Sequence, residues 1–274
     1  MPEIVLITGA SEGIGRATAH AFASRGAQLV LAARTESTLK QTAIDLEQDL
    51  DAEILVVPTD VTQPDQVKSL VNQALERFQH IDILVNNAGL CMSGPFTATT
   101  LEHWQQLMAV NFWGYIHMIQ AVLPSMLERH RGQIINVGSF GGKMPLPLMT
   151  AYSASKFAVT GLTEALRLEL QPQGIEVIGV HPGVVNSDFL KRAVFVEETN
   201  SREPANSVIS SGRQRMQSAL EGIFVNQPDE VAAAIVDAAV HHKTDVVVGT
   251  AQLAIGAYKF FPDLLTTFLQ TSAR

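Results

Sequence analysis

The stretch EIVLITGASEGIGRATAHAFASR, residues 3–25, decides how the chain begins to fold. Its first six residues form an apolar run rich in β-branched side chains, which favours a buried strand. Gly9, Gly13 and Gly15 follow in the spacing G-x-x-x-G-x-G, and a helical pattern completes the stretch. Such a unit can place backbone N–H groups and the positive end of a helix dipole against a phosphate. A glycine turn that binds no nucleotide could have the same spacing, so the turn alone leaves both interpretations open.

The rest of the chain alternates strand-like apolar runs with helical patterns. Strands are predicted near residues 3–8, 28–33, 53–58, 81–86, 133–138, 175–180 and 245–248. Helices are predicted near residues 13–25, 37–48, 63–79, 100–129, 150–170 and 228–241. This alternation predicts an α/β fold: one doubly wound, Rossmann-type domain whose mostly parallel seven-stranded sheet has helices on both faces.

Several polar residues and turn residues come directly after the predicted strands. They are Gly9, Arg34, Asp60, Asn86, Ser139 and Pro182. Ligands of parallel sheets bind at the carboxyl ends of the strands. The sequence therefore predicts one binding cleft at that edge of the sheet.

Composition excludes several function classes. The 274 residues carry a net charge of −8, and the 19 Lys and Arg residues form no dense cluster, which argues against nucleic-acid binding. Cys91 is the only cysteine, so no internal disulfide can form, and a reducing, cytoplasmic location is expected. We expect no leader peptide, because Met1-Pro2-Glu3 leads straight into a strand, and no membrane span, because no segment has about 20 consecutive apolar residues. We also expect no metal site, because the eight histidines lack the spacing of metal ligands.

Tyr152 and Lys156 are four residues apart within AYSASKFAVTGLTEAL, residues 151–166. On a helix this spacing puts both side chains on one face. A fixed cation beside a phenol favours the phenolate and lowers the pKa of the phenol, which would suit an acid/base catalyst. The alternative is an exposed pair on a solvated helix face.

Six motifs in this order resemble those of the short-chain dehydrogenase/reductase family. They are Thr8-Gly9-x-x-x-Gly13-x-Gly15, Asn86-Asn87-Ala88-Gly89, Asn111, Ser139, Tyr152-x-x-x-Lys156 and Pro182-Gly183. The resemblance runs from about residue 3 to 189 and resumes as a last helix and strand to about 250. It implies hydride transfer between a nicotinamide dinucleotide and a carbonyl or alcohol.

The same resemblance implies roles for individual residues. Tyr152 would exchange the proton, Lys156 would lower the pKa of Tyr152 and bind the nicotinamide ribose, and Ser139 would hold the substrate oxygen. Asn111 would hold a water that links Lys156 to solvent. For two of these residues a structural role is an alternative: Ser139 as a turn cap and Asn111 as a brace for backbone. The implied cofactor contacts are Gly9, Ser11, Gly13, Ile14, Gly15, Arg34, Asp60, Val61, Asn87, Ala88, Gly89, Tyr152, Lys156, Pro182, Gly183, Val185 and Ser187.

Arg34 predicts the choice of cofactor. It follows the second strand, LVLAAR, where an NAD-specific enzyme would carry an acid for the ribose 2′-hydroxyl. An arginine can instead pair with a 2′-phosphate, which favours NADP(H). Glu12 departs from the NADP-preferring pattern, because some of those family members have a basic residue there. A merely exposed Arg34 is the alternative.

The substrate region is predicted less sharply. Apolar side chains suggest a bulky apolar aldehyde, ketone or alcohol, although core packing would explain them equally; they are Leu90, Met92, Phe140, Met144, Pro145, Leu146, Met149 and Phe189, with Ser93 beside them. Residues 190–226 resemble the variable substrate lid of the family. They would be an insertion in a catalytic domain of residues 1–250, followed by an apolar extension of residues 251–274.

The extension carries a helical stripe that includes Phe260, Phe261, Leu264, Leu265, Phe268 and Leu269. We expect it to cover the pocket or form a dimer contact, with peripheral membrane attachment as the alternative. The family resemblance also implies a homo-oligomer, a dimer or tetramer. Two alternatives remain for the function: an NAD-dependent alcohol dehydrogenase and a dinucleotide-binding regulator without turnover.

Overall fold

The computed structural model describes residues 2–186, 193–196 and 225–263. The seven predicted strands are β1 (Ile4–Thr8), β2 (Gln28–Ala33), β3 (Ile54–Pro58), β4 (Ile83–Asn86), β6 (Gly132–Val137), β7 (Ile175–His181) and β11 (Asp245–Val247). They form one sheet in the order β11-β7-β6-β4-β1-β2-β3, and every neighbouring pair is parallel. The predicted doubly wound, seven-stranded fold is confirmed.

Two short strand pairs lie outside this sheet. One joins β5 (Met92–Ser93) to β9 (Val194–Phe195), and the other joins β8 (Val184–Val185) to β10 (Val225–Asn226). Both pairs involve an end of the predicted lid. Its remaining residues, 197–224 and those before residue 193, lie outside the described residues.

The helices cover both faces of the sheet. They are α1 (Gly13–Ala23), α2 (Glu36–Leu50), α3 (Pro64–Phe78), α4 (Leu101–Met108), α5 (Gly114–Glu128), α6 (Thr150–Leu170), α7 (Pro228–Val240) and α8 (Ala251–Phe260). In β1, Val5 and Ile7 face a core built with α1, α2 and α7, whereas Ile4 and Leu6 face a core built with α3 and α5. Successive side chains of a strand point to opposite faces, so the continuous apolar run in β1 fills both cores.

The helix predicted over residues 100–129 is present, but it is not a regular α-helix throughout. A π-helical segment, Ala109–Trp113, separates α4 from α5. A π turn keeps the chain helical with one extra residue per turn and needs no glycine or proline, so the sequence pattern runs on unbroken. The segment contains Asn111, whose side chain bonds to a neighbouring loop.

The topology places a crevice between β1 and β4. Connections from β1 lead through β2 to β3 on one side, while β4, β6, β7 and β11 lie on the other. The carboxyl ends of strands at such a reversal of strand order are where open α/β sheets bind ligands. A cleft of about 650 Å³ lies at this edge.

The apolar extension begins with α8, which buries Ala251 and Ile255. Leu253, Phe260 and Phe261 are exposed, and the rest of the predicted stripe, from Leu264 onward, lies outside the described residues. Among the described helices, none is long and apolar enough to cross a membrane.

Candidate active site

The glycine turn after β1 is shaped by close backbone contacts. Gly9 and Gly13 have φ angles of +64° and +54°, a region that glycine adopts without strain. A Cβ on Gly15 would lie 2.1 Å from the carbonyl oxygen of Gly9. Alanine at position 15 would therefore force the turn apart. Helix α1 begins here, and the side chain of its N-cap residue makes no capping hydrogen bond to the first turn.

Asn87 ties the glycine turn to the loop after β4. Its Nδ2 donates to the carbonyl oxygens of Thr8 (3.0 Å) and Gly9 (3.2 Å). In return, the Thr8 hydroxyl accepts from the amides of Asn87 (2.9 Å) and Ala88 (3.1 Å). These bonds hold the two loops together across the crevice between β1 and β4.

Arg34, Asp60 and Val61 line one end of the cleft, together with Ser11 and Glu12. Arg34 is exposed and forms no ion pair with any residue that the structure describes. Asp60 uses one carboxylate oxygen, Oδ1, to accept from the amide (2.9 Å) and hydroxyl (2.8 Å) of Thr62. Its second oxygen makes no such bond within the described part of the chain and can accept from a ligand.

Helix α6 brings Tyr152 and Lys156 into the cleft, and both are buried rather than exposed. Lys156 is 3% exposed, and its Nζ donates to the carbonyl oxygen of Val137 at 2.9 Å. The same ammonium lies 5.5 Å from the centre of the Tyr115 ring. An ammonium can donate three hydrogen bonds, so two remain for a ligand.

The pKa of Tyr152 shifts in the opposite direction from the one predicted. Burial, followed by the neighbouring Cys91, raises the pKa of Tyr152, and the nearby Ser139 side chain lowers it only in part. Burial also lowers the pKa of Lys156 to about 8, against a weaker opposing effect of Cys91. Lys156 is not among the groups that shift the pKa of Tyr152, and burial dominates, so the pKa of this phenol is raised and not lowered as expected.

Ser139 follows β6 and lies within the cleft beside Tyr152. Its Oγ accepts from the amide of Gly141 at 3.1 Å and so caps the short 3₁₀ turn Phe140–Gly142. The structural alternative is thus present. It does not exclude a contact with substrate, because a hydroxyl can donate one bond while it accepts another.

Asn111 is fully buried and braces the loop after β4. Its Oδ1 accepts from the amide of Leu90 (2.7 Å), while its Nδ2 donates to the Leu90 carbonyl oxygen (2.9 Å) and the Ser155 hydroxyl (3.1 Å). Asn111 does not line the cleft. Both amide hydrogens are used within the protein, so the side chain matches the predicted alternative, a brace for backbone.

Pro182, Gly183 and Val185 line the cleft after β7. The amide of Gly183 donates to Oδ1 of Asn226 at 3.0 Å, and Val185 pairs with Asn226 in the short β8–β10 ladder. Ser187 lies outside the described residues.

The cleft wall near Tyr152 is apolar. Leu90, Phe140, Leu146 and Met149 line it, as predicted. Met92 and Met144 are buried outside the lining, Pro145 and Ser93 do not line the cleft either, and Phe189 lies outside the described residues. Charged side chains among the described lining residues are Glu12, Arg34, Asp60 and Lys156, so Lys156 alone of these carries a charge near this wall.

The remaining predicted cofactor residues also reach the cleft. Gly9, Gly13, Ile14, Asn87, Ala88 and Gly89 line it, whereas Gly15 is not among the lining residues. Gln106, Ala109, Val110 and Cys91 also line it, although the sequence did not identify them as cleft residues. The first three come from the end of α4 and the π segment, and no sequence pattern marked that segment. Burial raises the pKa of Cys91 to about 12, so its thiol stays protonated.

Residues 3–196 match the family model of the short chain dehydrogenases. The chain is 40% identical over 185 residues to an uncharacterised oxidoreductase of Staphylococcus saprophyticus, covering 68% of this chain and 79% of the relative. A short-chain dehydrogenase/reductase from Burkholderia phymatum, solved in complex with NAD, is 30% identical with a TM-score of 0.84, over 96% of this chain and 95% of that one. A short-chain dehydrogenase from Sphingobium yanoikuyae, solved with NADPH, is 29% identical with a TM-score of 0.75. The match covers 100% of this chain and 97% of that chain. The protein therefore belongs to the short-chain dehydrogenase family and is an oxidoreductase of that family.

Proposed function

We propose that the protein is an NADP(H)-dependent oxidoreductase that interconverts an apolar aldehyde or ketone and its alcohol. The observation that carries this proposal is one cleft that holds Tyr152, Lys156 and Ser139 next to a glycine turn. Lys156 is a buried ammonium without a carboxylate partner among the described residues, and Tyr152 is a buried phenol. Such groups are costly to bury, and they concentrate at functional sites.

The cleft suits a dinucleotide. The missing side chain at Gly15 and the positive φ angles at Gly9 and Gly13 let a pyrophosphate approach the backbone N–H groups at the start of α1. The relatives from Burkholderia phymatum and Sphingobium yanoikuyae were solved with NAD and NADPH. A nicotinamide dinucleotide bound in the cleft would supply or accept the hydride at the carbonyl carbon.

Arg34 favours NADP(H) over NAD(H). Its guanidinium is exposed at the cleft and can form two parallel bonds with a 2′-phosphate. Glu12 lines the same end of the cleft and would repel that phosphate. This carboxylate is the observation in favour of the second candidate, an NAD-dependent alcohol dehydrogenase.

The side chains of the protein would handle the proton and the orientation of the substrate. A phenol is protonated at neutral pH, and burial raises the pKa of Tyr152 further, so this residue carries the proton needed by the carbonyl oxygen during reduction. Ser139 would donate a hydrogen bond to the same oxygen and so fix the carbonyl beside Tyr152. Lys156 would bind the ribose hydroxyls with its two remaining donors.

The wall made by Leu90, Phe140, Leu146 and Met149 supports an apolar substrate. A charged substrate would lose its hydration at this wall, where the only charge nearby among the described lining residues is Lys156. Bulky apolar aldehydes and ketones are therefore the proposed class.

The test is Tyr152→Phe, followed through loss of nicotinamide absorbance with a panel of apolar carbonyls. We expect turnover to fall by about 10²–10⁴-fold, since general acid catalysis is worth that much, while the NADPH dissociation constant stays within about twofold. Tyr258→Phe, in α8 and outside the cleft lining, is the matched control and should keep wild-type turnover. Persistent turnover in Tyr152→Phe would refute the assigned role.

A further inference from the structure

His181 is a buried histidine that the proposed reaction does not use. It is the last residue of β7, directly before Pro182, and is 1% exposed. Its Nε2 lies 2.8 Å from Oδ1 of Asp245 in β11, and Asp245 in turn pairs with Lys143 at 3.1 Å. Burial lowers the pKa of His181, and the hydrogen bond to Asp245 opposes this only in part. The ring is accordingly neutral, with its hydrogen on Nε2.

Two glycines leave room for this ring. A Cβ on Gly138 would lie 2.4 Å from Nδ1 of His181, and one on Gly179 would lie 2.9 Å from Nε2 and 3.1 Å from Oδ1 of Asp245. Either side chain would clash, since real Cβ atoms almost never approach closer than about 3 Å. The slot between β6 and β7 is thus shaped for an imidazole that is bonded to Asp245.

The free nitrogen of the ring faces the loop that carries Ser139. Nδ1 of His181 is buried and has no hydrogen-bond partner in the described residues. A Cβ on Gly138 would point at this nitrogen, so only a hydrogen fits between the backbone of Gly138 and the ring. The ring therefore lies directly against the backbone of Gly138.

The same loop is bonded to the residues on either side of His181. The amide of Gly138 donates to the carbonyl oxygen of Val180 at 2.7 Å, and the amide of Phe140 donates to that of Pro182 at 2.8 Å. Ser139 lies between these two bonds. A change in the position of the His181 ring would consequently move both Ser139 and Pro182.

We propose that His181 is a positioning residue: Asp245 holds its ring, and the ring fixes the Gly138–Ser139 backbone and the Pro182 edge of the cleft. The expected effect on turnover rests on the proposed function, because a shift of the His181 ring would change turnover by moving Ser139, which we propose to hold the substrate oxygen. The mechanical contact itself does not depend on that function. His181 touches neither substrate nor cofactor in this role.

The test is a double-mutant cycle between Gly138 and His181. In Gly138→Ala the three atoms nearest to the new methyl group all belong to His181, so the loop must shift. We expect kcat to fall by about 10²-fold with little change in the NADPH dissociation constant, because misplacement by about 1 Å can cost that much. His181→Ala should lower kcat by about tenfold, and Gly138→Ala/His181→Ala should return to the level of His181→Ala.

Gly161→Ala is the matched glycine control. Beyond its neighbours in the same helix, a Cβ added to Gly161 in α6 would meet no atom of the described residues within 4 Å, so kcat should not change in this variant. If the two effects in the double variant multiply instead of cancelling, the ring is not what Gly138 must avoid, and the proposal is overturned.

Asp245 supplies the conservative comparison. Asp245→Asn keeps an oxygen that accepts from Nε2 and should retain most of kcat, whereas Asp245→Leu should resemble His181→Ala. Both variants remove the charge that pairs with Lys143, so a difference between them reports the hydrogen bond to His181. Equal kcat values in the two variants would contradict the role of Asp245.

Amide hydrogen exchange of residues 138–142 separates this proposal from the proposed function. Exchange should accelerate in Gly138→Ala and return to the His181→Ala rate in the double variant, with no substrate present. If wild-type protein turned over no carbonyl but exchange followed this pattern, the proposed function would fail and the positioning contact would stand. Unchanged exchange in Gly138→Ala would overturn the contact.

Discussion

The amino and carboxyl edges of the sheet each hold one buried charged side chain, Asp82 and Lys156, and the two side chains differ in their partners. At the amino edge, Asp82 accepts from the amide of Ile4 (3.0 Å) and pairs with Arg129 (3.1 Å) and His80 (3.2 Å). At the carboxyl edge, the ammonium of Lys156 is also buried, but no carboxylate among the described residues pairs with it: it donates to a carbonyl oxygen and lies near an aromatic ring. The first charge is compensated within the protein, whereas the second keeps donors for a ligand.

Their pKa values reflect this difference. Burial alone would raise the pKa of Asp82, but the Ile4 amide and the charges of Arg129 and His80 hold it below its usual value. For Lys156, burial dominates and lowers the pKa to about 8. The charged groups around Asp82 therefore stabilise the fold at the amino edge. At the carboxyl edge, the buried Lys156 lowers the stability of the protein but leaves hydrogen-bond donors for a ligand.

Among variants that compare the two edges, Lys156→Met has the largest expected effect. We expect turnover to fall by about 10²–10³-fold, because ribose binding and the orientation of the cofactor are lost together. Stability should not fall, since Tyr115 also donates to the Val137 carbonyl oxygen at 2.9 Å and keeps that oxygen bonded. Urea denaturation beside a turnover assay measures both. A variant that is clearly less stable than wild type would break the contrast between the two edges.

The pH dependence of stability gives the second test. The folded-state pKa of Lys156, about 8, lies below the unfolded value of 10.5, so the unfolded state binds more protons between these values. Stability due to this group therefore rises with pH from about 8 to 10.5, by about 3 kcal/mol. The measurement is the difference in unfolding free energy between wild type and Lys156→Met at several pH values. A difference that stays flat across the window would show that the lysine is not desolvated.

The smallest effect belongs to the amino edge. Asp82→Asn should lower the free energy of unfolding by about 1 kcal/mol at neutral pH, because bonds to a charged acceptor become bonds to a neutral one. Since the pKa of Asp82 is lowered, its contribution is present above the usual carboxyl pKa and is lost as the pH falls through the folded value. Turnover should not change. Reduced kcat in a variant that is still folded would show that the amino edge also serves the site.

Much of the fold and the cleft was predictable because the controlling signals are local. Apolar runs alternating with helical patterns specify a parallel sheet, and the residues after each strand necessarily meet at one edge. Tyr152 and Lys156 could be paired from their spacing alone. Arg34 could be identified because it directly follows a strand.

Other features depend on tertiary contacts that no local pattern carries. The π segment around Asn111 contains no helix breaker. The side chain of Asn111 bonds to Leu90, which lies 21 residues away in the sequence. The raised pKa of Tyr152 arises from burial by several elements, so spacing to Lys156 could not reveal it. The slot for His181 requires Gly138 and Gly179, which lie on two different strands or their ends.

The most direct test of the cofactor assignment is calorimetric titration of the wild-type protein and Arg34→Asp with NADPH and with NADH. If the uncompensated cations at the carboxyl edge form an NADP(H) site, wild type should bind NADPH at least about tenfold more tightly than NADH, since one charge-assisted bidentate pair is worth that much. Arg34→Asp should lose that preference while its NADH affinity changes little. Equal binding of both cofactors by wild type, or equal losses for both in the variant, would contradict the assignment.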